Sequence, residues 1–182
     1  GLRFHTKFVP DLDALPTINK QYVERVIDRS LRRIGVHCLD LVQFHWWDFN
    51  VPGHVETAHH LVALQKAGKI KDLGVTNYDV AHLDELVSSG VKIASHQMQC
   101  SLVDRRPYNG MTAYCKEHGI KMLAYGVHAG GFLSEAYLGV PEPLEPFANR
   151  SLTKYKLIID EFGGWALFQE LLQALVKVAT GP

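Results

Sequence analysis

Helical patterns and short apolar runs alternate along this chain, and a glycine follows each of four helical patterns. The apolar residues of the first pattern recur at helical spacing from Tyr22 to Ile34, and Gly35 comes next. The arrangement returns three times, with patterns over residues 55–62, 80–87 and 111–118 and glycines at 68, 90 and 119. Because glycine adopts a left-handed conformation without a side-chain clash, it is a common helix stop. The spacing therefore predicts four helices with glycine-defined ends.

Five short apolar runs are the candidate strands of this chain. They cover residues 2–6, 39–44, 72–75, 92–95 and 120–124. Periodicity alone does not distinguish a short strand from a buried helical segment, but regular alternation with longer helices does. Strand–helix–strand repeats return the chain to the same edge of a sheet and make the strands parallel. The sequence thus predicts an α/β fold with a parallel sheet, and a length of 182 residues is that of one domain.

The stretch from Gly126 to Arg150 interrupts this rhythm. It contains two adjacent glycines and three prolines, at positions 130, 131, 141, 143 and 146. We predict a long loop here, and loops of this length in compact domains are usually functional or mobile. Two further helices are predicted after it, over residues 154–161 and 165–178, with Gly163 and Gly164 between them.

Charge and composition exclude several classes of function. The 19 Lys and Arg residues balance the 19 Asp and Glu residues, which gives no electrostatic case for binding nucleic acid or an anionic membrane. No apolar run approaches the roughly 20 residues that span a bilayer, and the first residues show no apolar signal core. The three cysteines, Cys38, Cys100 and Cys115, share no C-x-x-C spacing, so a reducing compartment such as the cytoplasm is expected.

Polar side chains stand at the ends of the predicted strands. In chain order these residues are Lys7, His45, Thr76, Asn77, Gln97 and Tyr125. In parallel α/β folds the carboxyl ends of the strands carry the ligand site, because all strands point the same way. Structural interpretations stay open for each residue. Thr76 and Asn77 suit a helix cap, and His45, ahead of two tryptophans, suits a buried core imidazole. The pattern as a whole favours one shared site.

The ten histidines do not form a recognisable metal-binding pattern. No H-x-H pair occurs, and His59 and His60, adjacent on a predicted helix, point about 100° apart. We therefore predict no metal site. No G-x-G-x-x-G follows a strand and no G-x-S-x-G occurs, which argues against a Rossmann cofactor site and a hydrolase elbow.

Four segments, taken together and in order, resemble the aldo-keto reductases. They are residues 30–35 with 39–45 (SLRRIG, LDLVQFH), 68–77 (GKIKDLGVTN), 96–102 with 105–107 (HQMQCSL, RRP) and 119–125 (GIKMLAY). The resemblance implies a (β/α)8 barrel of the TIM-barrel type that reduces small aldehydes and ketones with NADPH. It further implies that residues 1–182 form a partial barrel domain with about five of the eight strand–helix units.

The resemblance also assigns roles to residues of this chain. The family's catalytic set is an Asp, a Tyr, a Lys and a His, and Lys7 and His45 match the last two. Thr76 and Asn77 match the pair that binds the nicotinamide carboxamide, Gln97 matches the glutamine beside them, and Tyr125 matches the aromatic ring that stacks on the nicotinamide. Apolar lining of the substrate pocket is expected from Trp46, Trp47 and Phe132.

The same comparison of motifs finds no counterpart for the family's catalytic Asp and Tyr, nor for the basic loop that grips the 2′-phosphate of the cofactor. We therefore expect these 182 residues by themselves to be weak or inactive in carbonyl reduction. We also expect self-association through exposed sheet edges. Two alternatives stay open: a catalytically inactive family member that acts as a binding or regulatory protein, and an unrelated metal-dependent barrel hydrolase.

Overall fold

The computed structural model describes residues 2–181. Its strands are β1 (His5–Phe8), β2 (Leu39–His45), β3 (Ile70–Thr76), β4 (Ser95–Gln99) and β5 (Lys121–Tyr125). Its helices are α1 (Lys20–Ile34), α2 (His54–Lys66), α3 (Val80–Ser88), α4 (Met111–Glu117), α5 (Arg150–Phe162) and α6 (Gly164–Thr180). Short 3-10 turns cover Leu12–Thr17, Arg106–Tyr108, Ala129–Gly131 and Glu135–Tyr137. None of the helices in this described range combines the length and the apolar character needed to cross a membrane.

The predicted helix stops are confirmed. In α1 the side chain of Asn19 accepts a hydrogen bond from the backbone N–H of Tyr22, and at the other end Gly35 has φ 79° and donates its N–H to the carbonyl of Leu31. The glycines at 68, 90 and 119 also have positive φ. Each of these residues satisfies a backbone group that the helix end leaves open, so the four crossover helices have fixed lengths.

The five strands form one sheet in the order β1-β2-β3-β4-β5, as the alternation predicts. The recorded pairs β1–β2, β2–β3 and β3–β4 are parallel. Side chains alternate across a strand, so β3 directs Leu73 and Val75 into the hydrophobic core while Gly74 and Thr76 face the opposite side. The sheet therefore has one apolar face and one face with polar side chains near its carboxyl end.

Two predicted strand bounds are wrong, each by about three residues. β1 begins at His5 and not at residue 2. The N–H of Phe4 donates to the side-chain carboxylate of Asp40 at 2.9 Å, while its carbonyl accepts from the backbone N–H of Asp40 at 3.0 Å. β4 begins at Ser95 and not at residue 92. Val91 and Ile93 are buried in the core as their hydrophobicity predicts, but the strand pairing with β3 starts only at Ser95.

Contacts divide the chain into two compact units. The first comprises the residues up to 98 together with 108–123, and its core is built from the apolar face of the sheet and the inner sides of α1 to α4. Val23 and Ile27 of α1 are fully buried in this core. Burying one such side chain contributes about 1.5–3 kcal/mol, so the apolar side of α1 stabilises the unit.

The second unit comprises residues 99–107 and those from 124 onwards. Residues 126–149 are largely irregular, as predicted, with two short 3-10 turns. The core of this unit is aromatic: Phe132 is fully buried and packs against Tyr137, Phe147 and Trp165. Helices α5 and α6 supply the remaining buried residues of this core.

Candidate active site

Three of the predicted site residues lie side by side in the sheet. The strand register pairs His45 with Thr76 and Thr76 with Gln97. Lys7 pairs with Gln43, which precedes His45 by two positions on β2. Because paired residues and residues two apart share a face, all five side chains belong to the polar face of the sheet. The register thus brings together Lys7, His45, Thr76 and Gln97 in two adjacent rows.

His45 has a defined hydrogen-bonding state. Its Nδ1 lies 3.0 Å from the carbonyl oxygen of Thr76. A carbonyl only accepts, so Nδ1 carries the proton, and Nε2 of the neutral ring is an acceptor. The ring packs edge-on against Trp47 with 4.6 Å between centroids, and the Trp47 indole N–H donates to the carbonyl of Pro10 at 2.7 Å. His45 is half-buried, so its ring is held without being closed off from a ligand.

Two polar atoms beside His45 are buried without a hydrogen-bond partner among the described residues: Oγ1 of Thr76 and Oε1 of Gln97. Buried polar groups in proteins are nearly always hydrogen-bonded, because leaving one unmet costs about 1–3 kcal/mol. A hydroxyl can donate or accept, and an amide oxygen accepts. The pair is therefore suited to a ligand that carries both a donor and an acceptor, such as a carboxamide.

Asn77 completes this edge of the sheet. It has φ 56°, a left-handed conformation that asparagine tolerates better than most residues, and its side chain is exposed. Its backbone N–H donates to the carbonyl of Gln97 at 2.9 Å. The helix-cap interpretation of Thr76 and Asn77 is wrong, because Asp79 caps α3 by accepting from the N–H of His82.

Comparison with known proteins identifies the family. The model of the aldo/keto reductase family matches residues 1–181. The chain belongs to the aldo-keto reductase family. Curated members that it resembles include the glyoxal reductase of Bacillus subtilis, 34% identical over 101 residues (54% of this chain, 34% of that protein), and the NADH-specific methylglyoxal reductase of Escherichia coli, 27% identical over 130 residues (69% and 39%).

A solved aldo-keto reductase from Bacillus halodurans in its apo form shares the architecture. It is 28% identical and has a TM-score of 0.60, with 84% of this chain and 48% of that chain covered. The chain spans about a third of the length of the curated relatives it matches. The parallel five-stranded sheet and its helices are therefore an α/β fold that corresponds to part of an aldo-keto reductase (β/α)8 barrel.

The other predicted residues of the aldo-keto reductase site take up different environments. Lys7 lies within β1 and is exposed. Tyr125 is the last residue of β5 and belongs to the second unit, where the ammonium of Lys154 lies 5.1 Å from its ring centroid. Trp47 is half-exposed beside His45. Trp46 and Phe132, predicted as pocket lining, lie in the hydrophobic cores of the first and second unit.

The structure adds one histidine to this neighbourhood that the sequence patterns do not single out. His96 is completely buried on the opposite face of β4, and its Nε2 accepts a hydrogen bond from the backbone N–H of Tyr78 at 3.1 Å. Burial lowers the pKa of His96 to about 4, so the ring is neutral at physiological pH. Its position directly before Gln97 was the one available signal.

A second group of histidines lines an open groove of about 680 Å³ at the start of α2 and α3. His54 Nε2 lies 2.9 Å from a carboxylate oxygen of Glu85, and His82 stacks on Phe49 with 3.9 Å between centroids. Burial lowers the pKa of His54, and the nearby Glu85 opposes that shift without cancelling it. Within residues 2–181, no three His, Cys, Asp or Glu side chains are grouped closely enough to hold a metal ion.

Proposed function

We propose that this chain carries the nicotinamide-binding and carbonyl-polarising part of an NADP-dependent aldo-keto reductase. The supporting observation is the row His45, Thr76 and Gln97, in which two buried polar atoms have no hydrogen-bond partner in the described part of the chain and lie next to a held imidazole. The carboxamide of a nicotinamide has an N–H donor for the Gln97 oxygen and a carbonyl for the Thr76 hydroxyl. The exposed side chain of Asn77 is the third group proposed to hold it.

The residues of the row divide the work of carbonyl reduction. When bound, NADPH would supply the hydride. We propose that His45 polarises the substrate carbonyl through Nε2, which donates a hydrogen bond only in the imidazolium form because Nδ1 is committed to Thr76. Lys7 contributes a positive charge on the same face of the sheet. Trp47, beside His45, is the proposed apolar contact for a small carbonyl substrate.

The chemistry available to these 182 residues is limited. In aldo-keto reductases a tyrosine donates the proton to the developing alkoxide, and the family motif that carries it has no counterpart in this sequence. Loss of a positioned general acid costs roughly 10²- to 10⁴-fold in rate. We therefore propose slow or undetectable turnover by this chain alone, together with measurable cofactor binding. The three free cysteines are compatible with a reducing compartment such as the cytoplasm.

A fluorescence titration of the 182-residue chain with NADPH, with NADH in parallel, tests cofactor binding, and glyoxal and methylglyoxal serve as carbonyl probes. We expect saturable binding of both nucleotides, because the proposed contacts are to the nicotinamide that they share, and weaker binding in the T76V variant. Binding without turnover on either probe supports a binding or regulatory role for the chain as it stands. Absence of binding to both nucleotides contradicts the proposal.

The sheet also supports a proposal on assembly. β1 and β5 are its outermost strands, and a parallel edge strand has unpaired backbone groups that another chain can pair with. We therefore propose that the isolated chain self-associates. Sedimentation velocity across a dilution series checks this. A species with the mass of one chain at every concentration contradicts it.

A further inference from the structure

The turn that follows β3 is held by two successive backbone hydrogen bonds to two successive residues of β4. The N–H of Asn77 donates to the carbonyl oxygen of Gln97 at 2.9 Å, and the N–H of Tyr78 donates to Nε2 of His96 at 3.1 Å. Gln97 thus offers a main-chain acceptor, whereas His96 offers its side chain. The second bond exists only because of the residue type at position 96.

Asn77 depends on this arrangement more than an ordinary turn residue would. Its φ of 56° is a left-handed conformation, which is uncommon for any residue with a side chain. Such conformations persist where the surroundings fix them on both sides. Before Asn77, the carbonyl of Thr76 accepts from His45, and after it, Tyr78 is fixed by His96. The backbone on either side of Asn77 is therefore bound to an imidazole.

The environment of His96 suits a fixed acceptor. The side chain is completely buried, and Nε2 accepts, so Nδ1 carries the proton of the neutral ring and has no hydrogen-bond partner within residues 2–181. The hydrogen-bond donor, Tyr78, is held by packing: its buried ring lies against Phe44 and Phe49, with centroids 5.9 Å and 5.0 Å away. This packing holds the donor of the hydrogen bond in place, and complete burial confines the acceptor ring.

We infer that His96 is a positioning residue for the nicotinamide site, which holds the Asn77 side chain in its binding orientation through the backbone of Tyr78. This inference rests on the proposed function. His96 lies on the face of β4 opposite to Thr76 and Gln97 and does not contact the cofactor site itself. His96 acts through the turn: it fixes the geometry of a binding residue without contacting the ligand itself.

The bond itself is tested without any cofactor. A ¹⁵N-labelled chain in which Tyr78 N–H is bound to His96 Nε2 shows a scalar coupling between the two nitrogens across the hydrogen bond. We expect that coupling in the wild type and its loss in H96L, which is apolar and has no acceptor. Amide exchange at Asn77 and Tyr78 should accelerate in H96L by about tenfold. Absence of the coupling in the wild type overturns the inference.

The positioning role is tested by NADPH titration of H96L, H96Q and I27V. The side-chain oxygen of Gln stands close to where His96 Nε2 lies, so H96Q keeps an acceptor. Ile27 is fully buried in α1, away from the turn, and I27V loses stability without touching it. We expect the Kd for NADPH to rise about tenfold in H96L, to recover in H96Q and to stay at the wild-type value in I27V.

The two possible failures are distinguishable. Wild-type chain that binds no NADPH overturns the proposed function, and the positioning role falls with it. If the wild type binds NADPH and H96L binds it equally tightly, the positioning role alone is overturned. A loss of affinity in I27V equal to that in H96L also overturns it, because the effect would then follow overall stability and not the turn.

Discussion

Gly74 of β3 lies directly against Ser95 of β4, with no room for a side chain between them. A Cβ at position 74 would stand 2.8 Å from the carbonyl oxygen of Ser95 and closer still to its hydroxyl. Because the carbonyl belongs to the strand backbone, it cannot move aside as the end of a flexible side chain would. The close approach explains why β3 has a glycine in the middle of a buried strand.

We expect G74A to lower the free energy of unfolding by about 1–3 kcal/mol, the usual cost of overpacking a buried site. Urea unfolding followed by circular dichroism measures it. The double variant G74A/S95A removes the hydroxyl but keeps the carbonyl, so we expect only partial recovery. Equal stability of G74A and the wild type contradicts this account of the β3–β4 contact.

Substitution of Thr76 by valine should separate cofactor binding from folding. The Thr76 hydroxyl is buried and has no hydrogen-bond partner from residue 2 to residue 181, so T76V should leave stability unchanged or raise it by about 1 kcal/mol. The Kd for NADPH should rise roughly fivefold to tenfold, since one hydrogen bond to the cofactor is lost.

Ser95 offers a matched control for T76V. Its hydroxyl is also buried and has no hydrogen-bond partner among the residues that the structure describes, but it lies one row further from the strand end. We expect S95A to keep the wild-type Kd while its stability changes as little as that of T76V. An equal rise in Kd for both variants would contradict the assignment of Thr76 to the cofactor.

The pH dependence of stability should reveal His96. Its pKa in the folded chain is about 4, below the ordinary value of 6.5, because burial disfavours the charged ring. The unfolded chain therefore binds a proton first as the pH falls. This histidine should remove about 3 kcal/mol of stability between pH 6.5 and pH 4, and none of that loss should appear above pH 7.

Urea unfolding of the wild type and of H96Q at several pH values isolates the contribution of His96, since glutamine does not titrate. Parallel pH profiles for the two proteins would contradict it.

Asp104 and Arg106 form a bidentate ion pair in the second unit. The guanidinium donates from Nε and Nη2 to the two carboxylate oxygens at 2.8 Å and 2.7 Å, and Asp104 is buried. Burial alone would raise the pKa of Asp104, but the hydrogen bonds and charge of Arg106 lower it below its ordinary value. The pair therefore stabilises the chain above the ordinary pKa of aspartate, and the stabilisation is lost as the pH falls through the depressed value.

We expect R106A to lower the free energy of unfolding by about 1–3 kcal/mol at pH 7, because it leaves a buried carboxylate without its fork of donors. R106K keeps the positive charge but not the two parallel donors, so its free energy of unfolding should lie between those of R106A and the wild type. The difference between R106A and the wild type should shrink at acid pH, where Asp104 is protonated in both. A difference that stays constant with pH would contradict this role for the pair.

The parts of this fold that depend on local chemistry could be predicted from the sequence. Glycine can take positive φ wherever it occurs, so Gly35 and its counterparts marked the helix ends, and the alternation of elements gave the parallel sheet. The start of β1 could not be predicted in this way. At this point the backbone N–H of Phe4 binds a side chain, that of Asp40, which lies 36 residues further along the chain.

The candidate site shows the same division. The order of polar residues at the strand ends led to the row His45, Thr76 and Gln97, because parallel strands align their ends. Which of two adjacent residues is buried could not be predicted from the order of polar residues. Trp46 and Trp47 are adjacent, yet Trp46 is 1% exposed and Trp47 is 53% exposed, since the chain leaves β2 at His45 and places Trp46 in the core and Trp47 beside His45. The role of His96 could not be predicted, because a lone histidine between Ser95 and Gln97 has no pattern of its own.

The alternation along β3 has an evolutionary consequence. Leu73 and Val75 serve the core under the helices, while Gly74 and Thr76 serve the polar face. A mutation of Thr76 on the polar face can alter ligand preference without repacking the scaffold, whereas Gly74 on the same face is fixed by its contact with Ser95. A lineage built on this strand can therefore acquire a new chemistry, or lose an old one, by single substitutions that natural selection does not first remove as folding defects.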